Sequence, residues 1–193
     1  MQITIIGGRG ELGQEIKKGC KKAGHLISTT SRAPKENQIH FDWNHKQTYL
    51  NLHSSKIIIN AAPVKDLNCY FEFLETLLSN NQVFIETTAR PDLVAAMIDF
   101  QKNFNENIPG LVVHAVGIFP GISNFLLQEA LEQKPGAKSV NFNVKYSIFS
   151  KAGKDMCQLM AESLAKPSVY FENGRWKYDK SVGTIKTFEK KIP

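Results

Sequence analysis

A glycine-rich turn constrains this chain more than any other feature. Residues 5–13 read IIGGRGELG, so Gly8-x-Gly10-x-x-Gly13 follows a short β-branched run and opens a segment with helical spacing. A strand, a glycine turn and a helix in that order, at the head of an alternating series, is the context that gives a GxGxxG its meaning as a dinucleotide-binding turn. Gly8 is expected to let the chain turn sharply out of the strand. Gly10 lets a pyrophosphate approach the backbone with no Cβ in the way, and Gly13 lets the helix pack closely on the sheet. The helix N-terminus then offers free N–H groups and partial positive charge to the phosphates. The rival reading is a tight strand–helix turn with no ligand.

The rest of the chain supplies the alternation. MQITIIG (1–7) reads as a buried strand. Leu12, Ile16, Cys20 and Ala23 recur at helical spacing with lysines opposite, and Gly24 closes that helix. HLISTTS is a second strand, 33–38 a polar loop, IHFDW a short third strand, and 49–52 a brief helix. KIIINAAP is the clearest buried strand, ended by Pro63, and Leu67, Tyr70, Phe71, Leu74, Leu77 and Leu78 make an amphipathic helix. QVFIETT is a fifth strand. Pro91 opens a helix marked by Leu93, Val94, Met97, Ile98 and Phe104, and LVVHAVGIF is a sixth strand. Wholly apolar strands alternating with helices imply a parallel sheet covered on both faces. Residues 1–120 are therefore expected to form a Rossmann-type, doubly wound α/β domain.

After residue 120 the pattern changes. Residues 121–133 read as a helix. Residues 137–149 alternate, with Val140, Phe142, Val144, Tyr146 and Ile148 on one side, as in a half-exposed antiparallel strand. A helix over 156–164 and a hairpin around Asn173-Gly174 complete the expectation. Residues 121–193 thus form a small α+β region for substrate binding or dimerisation, too short for a complete substrate domain.

Composition narrows the function classes. A length of 193 residues allows one domain with a small appendage, and 42% apolar with 22% charged residues is ordinary globular usage. The net charge of +6 is uneven: residues 1–120 hold 12 Lys+Arg against 11 Asp+Glu, and residues 121–193 hold 12 against 7. These lysines are scattered between apolar strand positions, as on a solvated surface, and no aromatic–basic motif points to nucleic acid. Cys20, Cys69 and Cys157 show no CxxC or zinc spacing and suit reduced thiols. His25, His40, His45 and His53 show no metal spacing either. No apolar run approaches the ~20 residues of a membrane span, and the chain opens on a strand rather than a leader, so a soluble cytoplasmic protein is expected.

The type of dinucleotide is read at the end of the second strand. An NAD site places Asp or Glu about 20 residues beyond the glycine turn, on the ribose 2′-OH. Here that strand ends Ser28-Thr29-Thr30-Ser31-Arg32, with no carboxylate before Glu36. Hydroxyls and a guanidinium suit a 2′-phosphate, which Arg can hold with two parallel charged hydrogen bonds, so NADP is expected over NAD. Arg9 approaches from the glycine turn. The expected cofactor residues are Gly8, Arg9, Gly10, Glu11, Leu12 and Gly13 around the turn, then Ser31 and Arg32. Asp42 is placed towards the adenine, Ala61, Ala62 and Pro63 after the fourth strand, and Thr87 and Thr88 after the fifth. Simple turn chemistry is an equal alternative for Asp42.

No acid–base constellation stands out, and no catalytic residue is assigned. Tyr146 and Lys151 are five apart, not the four of a Tyr-x-x-x-Lys pair. His114 reads as a satisfied core histidine. Glu86 reads as a hydrogen-bonded structural carboxylate before a general base. Ser123 and Asn124 are either an N-cap or a helix terminus facing the nicotinamide half of the cofactor.

The order ITIIGGRGELG, IIINAAP, VFIETT, GIFPGISN resembles the saccharopine dehydrogenase-like family of NAD(P)-binding oxidoreductases. Gly8, Gly10 and Gly13 fall on that family's phosphate loop, and Asn60, Ala61, Ala62 and Pro63 on its fourth-strand signature. Glu86-Thr87-Thr88 falls where members carry Asp-Thr/Ser. Gly117, Pro120, Gly121, Ser123 and Asn124 fall on its Gly-x-x-Pro-Gly-x-Ser-Asn segment, the most specific of the four. The resemblance covers roughly residues 1–130, and it departs at Glu86 and at Pro193, where members continue through a larger substrate domain. It implies NADP-dependent hydride transfer to or from a C=N or C–N bond of an amino-acid-like substrate. Two rivals stand beside it: a non-catalytic NADP-binding module that self-associates, and, third because the Tyr-x-x-x-Lys pair is absent, an NmrA-like or atypical short-chain reductase relative suggested by GGRG and TTSR. Exposed strand edges in the C-terminal region imply a homodimer through 137–149 or the final hairpin, with neither nucleic acid nor membrane as partner.

Overall fold

The structure, a computed structural model, describes residues 1–88, 90–103, 108–137, 140, 153–154, 157–158, 161–162, 165, 167–172 and 175–179. The chain divides into two units, residues 1–150 and 151–193. In the first unit, β1 (Gln2–Ile6) lies at the centre of the sheet. Helix α1 (Glu11–Lys22) leads from it to β2 (Leu26–Ser31), and β3 (Gln38–His40) forms the outer edge on that side. A 3₁₀ segment (Lys46–Leu52) carries the chain back to β4 (Ile57–Asn60) on the other flank of β1. Then follow α2 (Leu67–Ser79), β5 (Val83–Glu86), α3 (Pro91–Asn103) and β6 (Leu111–Val113). The strand order β3-β2-β1-β4-β5-β6, parallel throughout, is the doubly wound Rossmann order expected from the sequence.

One face of the sheet carries the main core. Ile6, Ile58 and Phe84 meet Tyr70, Phe73, Leu74 and Leu77 of α2, Leu93 and Met97 of α3, and Tyr49 and Leu52 of the 3₁₀ segment. Phe41 and Trp43, just after β3, close this core with edge-on rings, Trp43 lying 5.1 Å from Phe73 and 4.9 Å from Phe41. Fully burying side chains of this size stabilises the fold by about 1.5–3 kcal/mol each. Buried polar groups on this side are paired. The Thr4 and Ser55 hydroxyls share a 2.6 Å hydrogen bond, and Gln82 Nε2 donates to the carbonyls of Leu52 and Ser55.

The opposite face is covered as expected over the central strands, where Ile3, Ile5 and Ile59 are buried, and less evenly elsewhere. Helix α1 lies over β1 and β2, yet of its expected apolar stripe Ile16 and Cys20 are half-buried while Leu12 and Ala23 are exposed. Gly13 is its one buried residue. At the far edge Leu111 and Val113 of β6 are exposed. β6 is shorter than expected: Ala115 takes a left-handed conformation (φ 56°), although Val116 N still donates to Glu86 O at 3.0 Å. A π-helical turn (Ile118–Ile122) then runs into α4 (Ser123–Gln133).

In the second unit β7 (Ser168–Glu172) and β8 (Arg175–Asp179) pair antiparallel, as the hairpin reading expects. The turn residues Asn173 and Gly174 lie outside the described residues. So do residues 141–149 of the expected strand and most of the expected helix over 156–164. Cys20 and Cys69 are free, half-buried thiols, and Cys157 is exposed. Among the described residues no helix is long and apolar enough to cross a membrane, and no cluster could hold a metal ion.

Candidate functional site

The chain leaves β1 for β2 and β3 on one side and returns to β4 on the other. The connections leaving the carboxyl ends of β1 and β4 therefore run to opposite sides, and in open α/β sheets the crevice at such a point receives ligands. Residues 7–10 fill the mouth of this crevice. Gly7 takes a left-handed conformation (φ 79°), and Gly10 N donates back to Gly7 O at 3.0 Å. A Cβ on Gly7 would lie 2.7 Å from the carbonyl carbon and oxygen of Ala61, and one on Gly8 would lie 2.4 Å from Thr29 Cγ2. A Cβ on Gly13 would lie 2.3 Å from Gly7 O, so α1 packs against the turn itself.

Gly10 differs from these three. Its φ is −71°, and a Cβ there would meet only Gly7 O at 3.5 Å, an ordinary contact. The protein's own packing does not demand glycine at this position. Gly10 is also the N-cap of α1, and no side chain caps that helix. Gly10, at this uncapped end, lines the crevice.

That crevice is a cleft of about 420 Å³. Of the expected cofactor residues, Arg9, Gly10, Ser31, Arg32, Asp42, Ala62 and Pro63 line it together. Gly8 and Gly13 are buried beneath, Ala61 backs Gly7, and Glu11 and Leu12 are exposed on the first turn of α1. Thr87 and Thr88 do not line the cleft. The Thr87 hydroxyl donates to Asn60 O (2.8 Å), and the Thr88 amide donates to Glu86 Oε1 (2.8 Å), so both close the ends of β4 and β5.

The cations of the cleft stand in different states. Arg9 Nη2 donates to Gln38 Oε1 at 2.9 Å, reaching from the turn across to β3. Arg32 makes no hydrogen bond or ion pair with the described residues, and its charge helps hold the Asp42 carboxyl down. The first cause of that lowering is the Asn44 amide donating to Asp42 Oδ1 (3.0 Å), with His45 Nδ1 adding its own contact at 3.2 Å. Asp42 thus shows the turn chemistry that the sequence left as an equal alternative while also lining the cleft. The Ser31 hydroxyl donates to Ala33 O at 2.9 Å.

Trp43, Asn44, Lys65 and Asp66 also line the cleft, and sequence reasoning did not select them. Trp43 shows part of its indole there while the rest packs on the aromatic core. Lys65 adds a cation. Asp66 caps α2, its Oδ1 accepting from the amides of Asn68 (2.8 Å) and Cys69 (3.2 Å). That cap had a sequence signal, an Asp directly before the apolar periodicity of α2.

Below the cleft floor Glu86 is 1% exposed. Its Oε2 accepts from Asn60 Nδ2 (2.8 Å) and from the Tyr70 hydroxyl (2.9 Å). Burial pushes this carboxyl above its ordinary value, against the lowering effect of the donors from Asn60, Thr88 and Tyr70. The reading of Glu86 as a hydrogen-bonded structural carboxylate agrees with this geometry. His114 is not the satisfied core histidine that was expected: it is half-buried, and its buried Nδ1 has no hydrogen-bond partner among the described residues. Ser123 is not an N-cap, because the π-helical turn continues the backbone into α4. Asn124 Oδ1 accepts from Gly121 N at 3.3 Å instead.

No family model matches the chain, and no curated protein matches it. Solved structures do. One is a short-chain dehydrogenase/reductase superfamily protein from Agrobacterium tumefaciens with bound NAD, 9% identical over 59% of this chain and 48% of that one, TM-score 0.46. Another is MoeE5 in complex with UDP-glucose and NAD, 11% identical over 59% of this chain and 53% of that one, TM-score 0.48. A third is UDP-N-acetylglucosamine 4-epimerase from Bacillus cereus, 16% identical over 70% of this chain and 50% of that one, TM-score 0.37. The chain spans about half the length of these three structures.

Proposed function

We propose that the chain binds NADP(H) across the carboxyl ends of β1, β2 and β4 and acts as an oxidoreductase of the saccharopine dehydrogenase-like type. The observation that carries this reading is the meeting, in one cleft, of Gly10 at the uncapped end of α1 and Arg32, which is unpaired among the described residues. The fit is physical. Gly10 leaves room for a pyrophosphate that no neighbouring atom of the protein claims, and the α1 amides offer it donors. Arg32, with Arg9 and Lys65 nearby, would hold a 2′-phosphate. Trp43 offers the adenine an aromatic surface, and Ala62 and Pro63 let the cofactor pass close to the backbone. When bound, the nicotinamide supplies the hydride chemistry, and the protein's share is orientation and charge. The substrate class in this reading is an amino-acid-like compound with a C=N or C–N bond.

A second reading, a binding module without turnover, is favoured by one observation. Among the described residues, the carboxylates of Asp42 and Asp66 both accept hydrogen bonds from nearby backbone amides, and no tyrosine, histidine or cysteine lines the cleft itself. Titration of the purified chain with NADP(H) and NAD(H), followed by loss of NADPH absorbance with imine and keto-acid panels, separates the two. Tight binding without turnover selects the module, and no binding of either dinucleotide removes both readings. Self-association through 137–149 or the final hairpin belongs to this proposal too. A monomeric sedimentation profile at micromolar concentration would contradict it.

A further inference from the structure

We infer that Glu86 is a positioning residue for the dinucleotide cleft, acting through the Asn60 amide on the turn that supports Gly7 and Gly10. The inference rests on the NADP(H) reading for its ligand, though not for its geometry. Glu86 ends β5 and Asn60 ends β4, at directly paired positions of the sheet. The carboxylate accepts from Asn60 Nδ2, from Tyr70 of α2 and from the Thr88 amide, so three elements converge on one buried charge. A buried carboxylate is a costly way to tie strands together, and a neutral pair would hold them with less desolvation.

What the charge adds is direction. A carboxylate only accepts, so it draws the NH₂ side of the Asn60 amide towards itself. That leaves Oδ1 to accept from the Ala62 amide (3.1 Å), while Nδ2 also donates to Ala62 O (3.0 Å). The turn over 60–62 is thereby pinned in one orientation. Its backbone lies directly against Gly7, where a Cβ would come within 2.7 Å of Ala61 and 2.8 Å of Ala62 N. Gly7 O in turn accepts from Gly10 N at 3.0 Å. Hydrogen bonds and close packing therefore run without a gap from Glu86 to the residue whose open space would receive a pyrophosphate.

The test is amide hydrogen exchange on the full, ligand-free chain, paired with NADPH titration, for wild type, Glu86→Gln and Tyr70→Phe. Gln presents a donor where the carboxylate accepted, so exchange at Ala62 and Gly10 is expected to rise about tenfold while the β4 and β5 ladder amides stay unchanged, and NADPH affinity is expected to fall about tenfold. Tyr70→Phe removes one donor and leaves the Asn60 contact, so exchange at Ala62 should stay within about twofold. A uniform rise across the sheet, or no rise at Ala62, would overturn the assignment in favour of a plain structural tie. If Glu86→Gln does not fold, Asn60→Ser carries the same test: it keeps an acceptor for the Ala62 amide and severs the link to Glu86. Unchanged exchange at Ala62 and Gly10 in that variant overturns the inference equally. Should wild type bind neither NADP(H) nor NAD(H), the ligand reading fails, while the exchange pattern still decides the role of Glu86.

Discussion

Tyr70 donates its phenolic hydrogen to Glu86 Oε2 across 2.9 Å, joining the first turns of α2 to the last residue of β5. Burial pushes both groups upward, and the Glu86 charge adds to the rise at Tyr70. The tyrosine stays protonated throughout the working range, so the carboxyl is the member of the pair whose charge can change.

Glu86 makes stability depend on pH in a defined direction. Its folded-state value lies above the ordinary 4.5, so the folded chain binds this proton more tightly than the unfolded chain. The contribution is fully present below the ordinary value and is lost as pH rises through the folded one. Relative to Glu86→Gln, wild type should lose stability from pH 4.5 upward. Urea midpoints of both proteins across that range read the difference, and a gap that moves in wild type's favour as pH rises contradicts it.

Arg32→Asp should weaken NADP(H) binding by about tenfold to a hundredfold and leave NAD(H) binding little changed or improved, since a guanidinium–phosphate contact is lost and a carboxylate gained. Equilibrium titrations with both coenzymes measure it. Equal losses for the two would end the 2′-phosphate argument.

Gly10→Ala and Gly13→Ala should separate binding from folding. At Gly13 the new methyl would lie 2.3 Å from Gly7 O, so α1 must shift, and destabilisation of about 1–3 kcal/mol is expected. At Gly10 the methyl meets only an ordinary contact and the φ of −71° suits alanine, so stability should change by less than about 1 kcal/mol. The same methyl enters the cleft, and dinucleotide affinity should fall. Thermal melts alongside binding curves distinguish the outcomes, and an unchanged affinity in Gly10→Ala would place the pyrophosphate elsewhere.

Trp43 should report the ligand. The chain has two tryptophans, Trp43 at the cleft and Trp176 in β8 of the other unit. Trp43→Phe preserves an aromatic ring against Phe73 and should abolish most of the fluorescence change on NADP(H) addition, while Trp176→Phe should retain it. A fluorescence change that survives Trp43→Phe would contradict a ligand seated against Trp43.

The sheet was legible because its strands announce themselves. Runs such as KIIIN and QVFIE are apolar on both faces, and glycine or proline punctuates them, so alternation with helices left one reasonable topology. Details set by tertiary contact were not legible. Gly7, to which the sequence reading gives no role, takes a left-handed conformation packed against Ala61, a neighbour some 50 positions away. Leu12 fits the apolar spacing of α1, yet α1 rests on the turn through Gly13, which leaves Leu12 52% exposed. Within the cleft, Arg9, Ser31, Arg32, Asp42, Ala62 and Pro63 followed from the rule that ligands lie at strand ends. Trp43, Lys65 and Asp66 did not, because they come from loops whose approach to the cleft depends on how the 3₁₀ segment and α2 pack.

The central place of β1 has a consequence for how the chain matures on the ribosome. Ile3 is paired with Ile27 on one side and Ile57 on the other, so β1 keeps an open flank until β4 has been made. Nascent chains arrested before residue 57 should expose that flank to chaperones, and those extended past β4 should bury it.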